Sequence, residues 1–175
     1  DHVDDFWPSV THNYGELPLR SATKSGADLE KFALPEAQHD HAESAAPQAE
    51  IDALCQAMKT LYGEAVSEVR TTQKLDQTPI CLGVAEGHMD IRMERFLVDH
   101  KQLQKRAAKL VEINPHHPVI TALASQIAAH GVNDTARDAL WLLFDQALIA
   151  EGEPVSDAAA FSRRLSQFLG KVVRS

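Results

Sequence analysis

The residues best suited to chemistry are histidines, nine of them, a number that invites a metal site. They are densest in HDHAE, where an extended backbone would bring His39, His41 and Glu43 toward one ion. A closed site needs a fourth ligand and a rigid surround, and this stretch is poor in large apolar residues. It reads as a solvated segment. His116 and His117, between Pro115 and Pro118, read as an exposed turn at a helix start. For nucleophilic catalysis a Ser or Cys must be held against an oriented base. Cys81 instead has alternating apolar neighbours, as a packed strand residue would. GVAEG lacks the Lys and Ser/Thr of a phosphate-binding loop. No catalytic, cofactor or metal residues are therefore assigned.

One further constellation is apolar. In GHMDIRMERFLVDH, Met89, Met93, Phe96 and Leu97 recur at i, i+4, i+7 and i+8, while Asp90, Arg92, Glu94 and Arg95 take much of the remaining surface. Methionine is unbranched and polarizable, so such a stripe suits an adaptable binding surface. Packing against a sheet is the alternative.

A formal charge of −8, with no basic run longer than KQLQKRAAK, argues against neutralising a nucleic-acid backbone. No run of about 20 apolar residues is present to span a membrane. Cys55 and Cys81 form neither a metal spacing nor a disulfide framework, which suits a reducing cytoplasm. Beginning at Asp1, the chain reads as an excised piece of a longer protein.

The elements that must position these residues follow from periodicity. Residues 1–34 carry scattered aromatics broken by Pro8, Gly15 and Pro18 and read as a small structured fragment. Residues 35–48 read as a linker, and 49–175 as the main domain. Ile51, Leu54, Met58 and Leu61 mark a helix ended by Gly63. VSEVRTTQKL and ICLGVA alternate like strands, and DQTP between them predicts an antiparallel pair. KLVEI is a third strand. Asn114 is expected to cap a helix with Pro115 at its first position, ending at Gly131. Asn133 or Asp134 opens the next helix and Ser156-Asp157 the last. The fold class is α+β, a small antiparallel three-stranded sheet with most helices at the end.

From Ala139 to Ala150 every position except Asp145 and Gln146 is apolar. That is more apolar surface than one buried helix face requires. In the last helix Ala158, Phe161, Leu165, Phe168 and Val172 follow a 3-4-3-4 spacing, a seam for packing along another helix. Two such hairpins around a two-fold axis would form an intermolecular four-helix bundle. Burial of both helices in one monomer core is the alternative.

Five ordered stretches, EVRTTQKLDQTPICLGVAE, HMDIRMERF, EINPHHPVI, LLFDQALIAEG and DAAAFSRRLSQFL, together resemble the C-terminal region of the heat-shock protein 90 chaperones. The resemblance covers about Glu50 to Leu169, and residues 1–34 look like the tail of that family's middle domain. It implies homodimerisation through the two final helices, with Leu140, Leu143, Phe144, Ala147, Leu148, Phe161, Leu165 and Phe168 at the interface. It also implies contact with unfolded or partly folded clients through Met89, Met93, Phe96 and Leu97. ATP and Mg would belong to the full-length parent, since the family's ATP site and catalytic arginine lie in domains this chain lacks. The fragment itself would be no enzyme. The ending GKVVRS, without an acidic tail, resembles bacterial members. A monomeric helical adaptor or peptide-binding module using the Met/Phe helix is the competing function.

Overall fold

The computed structural model describes residues 11, 13–18, 46–73, 75, 77–84, 94, 97 and 107–173. Near the start, β1 (Asn13–Tyr14) and β2 (Leu17–Pro18) pair antiparallel around a tight turn. Gly15 takes φ of 62° there, a left-handed conformation that costs a residue without Cβ little.

Helix α1 (Gln48–Tyr62) turns Ile51, Leu54, Met58 and Tyr62 inward, one helical stripe, and Gly63 ends it at φ of 57°. A short 3-10 turn leads into β3 (Val66–Thr71). The remaining strands are β4 (Ile80–Gly83) and β5 (Lys109–Ile113).

The strand order is β3-β5-β4, with β3 parallel and β4 antiparallel to β5. The expected hairpin between β3 and β4 is thus corrected: the sheet is mixed, and β5 lies between them. Alternation fixes which side chains share a face but not which strands are neighbours. Composition accounts for the outcome in physical terms. In β5, Val111 and Ile113 enter the main core and Leu110 is buried as well, as suits a central strand. In β3, Ser67 and Glu68 are exposed, which an edge position tolerates.

Helix α2 (Pro118–His130) begins later than expected. His117 caps it, its Nδ1 accepting from the Val119 N–H at 3.2 Å, and Pro118 takes the first helical position. Asn114 is instead held in the preceding turn: its Oδ1 accepts from the His116 N–H at 3.0 Å and its Nδ2 donates to the Leu75 carbonyl at 3.1 Å.

Helix α3 (Asp134–Ala150) is capped by Asn133, whose Oδ1 accepts from the Ala136 N–H at 2.8 Å. Helix α4 (Ala158–Val172) is capped by Asp157 through the Ala160 N–H at 2.9 Å. Between them Gly152 turns the chain with φ of 73°. One apolar cluster unites α1, α2, α3 and the inner sheet face, and it contains Leu140, Leu143, Phe144, Ala147 and Leu148. Most of the apolar excess of α3 is therefore covered within the chain. Each of the buried Leu and Phe side chains contributes about 1.5–3 kcal/mol by leaving water.

Candidate interaction surface

Helices α3 and α4 form an antiparallel hairpin. The first turn of α3 meets the last turn of α4, where the Lys171 ammonium donates to Thr135 Oγ1 at 3.4 Å. Midway along, Arg164 Nε donates to Asp138 Oδ1 at 3.3 Å, and its guanidinium lies 5.5 Å over the Trp141 ring. Ala160, Arg164 and Lys171 mark the side of α4 that faces α3, a side made of a small residue and two cations.

The apolar seam of α4 lies around the helix from that docked side. Phe161 and Phe168 are half-buried, whereas Leu165 is 41% exposed, Leu169 56% and Val172 69%. Leu165, Leu169 and Val172 stand at i, i+4 and i+7 and form one stripe. On α3, half-buried Leu142 and exposed Ile149 share a stripe at i and i+7. An amphipathic helix that docks through its polar flank and leaves its apolar stripe open has apolar surface to offer a partner.

Beneath the hairpin lies an aromatic cluster that periodicity alone did not single out. Tyr62 stacks on Phe144 with centroids 4.6 Å apart and meets Trp141 edge-on at 5.3 Å. Its hydroxyl donates to the Leu140 carbonyl at 2.6 Å. Burial, with the Asp145 carboxylate as a smaller cause, pushes the phenol pKa far up, so it stays a donor. Asp145 itself is buried beside this cluster, with Arg164 Nη1 3.8 Å from its Oδ2. The available signal was an acid interrupting an otherwise apolar run.

Of the residues assigned to a client surface, Met89, Met93 and Phe96 lie outside the described residues, and Leu97 is half-buried. The same stretch contributes Glu94, which is buried with Oε2 2.6 Å from the Lys109 ammonium. Its Oε1 accepts from the Ala107 N–H. Glu94 is thus an anchor, where the sequence pattern placed it among the solvated charges of the helix.

His39, His41 and Glu43 lie outside the described residues. His116 is exposed and His117 caps α2. Cys81 sits on the outer sheet face, its thiol 3.9 Å from Glu112 Oε2, while Arg70 Nη2 donates to Glu112 Oε1 at 2.6 Å. Burial, then the Asp52 carboxylate, pushes the Cys55 thiol up to about 11, so it remains protonated at neutral pH. In GVAEG, Gly83 and Val84 are buried at the end of β4, and the other three residues lie outside the described ones. Among the described residues no helix is long and apolar enough to cross a membrane.

The family model described as Hsp90 protein matches residues 1–175. Among similar proteins, the chaperone protein HtpG of Wolbachia pipientis wMel is 42% identical over 172 residues, 98% of this chain and 27% of the relative. The protein of the same name from Paramagnetospirillum magneticum is 40% identical over 171 residues, again 98% of this chain and 27% of its own length. That of Rickettsia massiliae is 39% identical over 173 residues, 99% and 27% respectively. The chain spans about a quarter of the length of these curated relatives.

Proposed function

The chain belongs to the Hsp90 family, and from that membership we propose that it is the C-terminal homodimerisation and client-contact module of an ATP-dependent cytoplasmic chaperone. The observation that carries this reading is the open apolar stripe of α4. A second copy of the same chain fits it, because a two-fold axis presents each seam to its own equivalent and completes a four-helix bundle.

Leu140, Leu143, Phe144, Ala147 and Leu148 brace that surface from the core, and Phe161, Leu165 and Phe168 carry it, with Leu169, Val172 and Ile149 beside them. Client proteins would be met separately, through Met89, Met93, Phe96 and Leu97. ATP and Mg would be bound in other parts of the parent. Joining two chains at this end holds two ATP-driven arms at high effective concentration, so their far ends can meet and part without separating.

Sedimentation of this chain at micromolar concentration tests the reading. A dimer is expected. A clean monomer overturns it.

A further inference from the structure

We infer that the seat of α4 on α3 is a proton-operated latch built on Asp145 and Arg164, which acid tightens and rising pH loosens. It rests on the reading above, because the element it holds carries the proposed self-association surface.

Asp145 is 3% exposed, and its Oδ2 has no hydrogen-bond partner among the described residues. Arg164 Nη1 stands 3.8 Å away, beyond hydrogen-bonding length. The guanidinium is shared, since its Nε is directed to Asp138 and its plane covers Trp141. The other ionisable groups facing Asp145 do not supply the missing bond. Tyr62 on α1 already donates its proton to Leu140, and Asp157 at the start of α4 is itself an acid. The residues that α2 and β4 turn into the core, Ile120, Leu123, Ile127, Ile80 and Leu82, bring no charge.

An ionised carboxylate in this place has lost water without gaining a full set of donors, which is costly. Burial first, and repulsion from Asp157 after it, hold Asp145 above the ordinary 3.8, while Arg164 opposes them. With α4 lifted away, Asp145 would be hydrated and return to its ordinary range. The seated form therefore binds a proton more tightly than the lifted form. Its advantage is complete below pH 3.8 and is lost as pH rises through the pKa of the seated form.

Helix α4 is the part free to move. Ala160 is its one buried residue, and its remaining contacts with α3 include the exposed Lys171 bond, whereas α3 is built into the core. Elements with few buried apolar contacts open at the lowest free energy.

Amide hydrogen exchange of α4 in the 175-residue chain tests the latch. It is best read in a Leu169→Asp background, where no second copy protects the helix, over a pH series from just below 3.8 to neutrality, after correction for intrinsic exchange. The opening constant should rise with pH, about tenfold for each unit separating the two pKa values. Asp145→Asn should abolish that rise. Arg164→Met should steepen it, because the cation that lowers the Asp145 pKa is gone.

An equal slope in the parent and Asp145→Asn overturns the latch. Should Asp145→Asn fail to fold, an unchanged slope in Arg164→Met overturns it instead. Sedimentation without the Leu169→Asp change separates the two readings. A monomer with pH-dependent α4 exchange defeats the dimer and keeps the latch; a dimer whose α4 exchange ignores pH defeats only the latch.

Discussion

Glu94 and Lys109 meet at 2.6 Å with their side chains 4% and 6% exposed, so neither charge has water to fall back on. Breaking such a pair from one side strands a buried charge, at about 3–5 kcal/mol, whereas replacing both partners by apolar groups is often near neutral. Lys109→Met should therefore lower stability by about that amount in urea denaturation, and Glu94→Leu with Lys109→Met should recover most of it. An additive double variant would show that the two do not act as a pair. Tyr62→Phe removes the 2.6 Å bond to the Leu140 carbonyl while keeping the ring stack, and should cost about 1 kcal/mol by the same measurement. The pattern of MERFLV did not distinguish Glu94 from its neighbours, because a charge on a wet face and a charge in a dry pair occupy the same kind of helical position. Local capping chemistry is different: Asn133 and Asp157 were legible as helix starts because a cap acts within a few residues.

At the scale of the element, α3 and α4 looked alike in sequence, both apolar enough for a shared bundle, but they serve different ends. Leu148 on α3 is buried in the main cluster, whereas Leu165 and Leu169 on α4 are open. Leu148→Asp should therefore unfold the chain or lower its melting temperature steeply, since a charge would enter a packed core. Leu165→Asp and Leu169→Asp should leave thermal melting of the monomer within about 0.5 kcal/mol and shift sedimentation toward monomer. Circular dichroism and sedimentation on the same samples check both parts. If Leu165→Asp also melts the fold, α4 is structural rather than a seam. The sheet teaches a related lesson. Each strand segment was legible from period two and β-branched content, yet β5 inserted between β3 and β4, because partner choice depends on which strand is covered on both faces.

For the whole molecule, the proposed task is divided between a tether and a client surface, which sit on different stretches of chain. Met93→Asp in the full-length parent should weaken suppression of client aggregation while the dimer persists. Unfolding of the chain by that substitution would instead assign the methionine stripe to the core. The charge of −8 and the short, broken basic run remain consistent with partners met through apolar rather than phosphate contacts.

By itself the sequence determined the α+β class, the glycine stop of α1, the caps of α3 and α4, and an apolar excess at the C-terminal end. These rest on interactions within a few residues, where spacing and side-chain type suffice. Only the tertiary structure decided that α3 covers most of its excess inside the chain, that α4 turns its apolar stripe outward, and that Asp145, Glu94 and Lys109 are buried. Those outcomes depend on residues far apart in the chain competing to cover the same surface, and no local pattern records which of them succeeds.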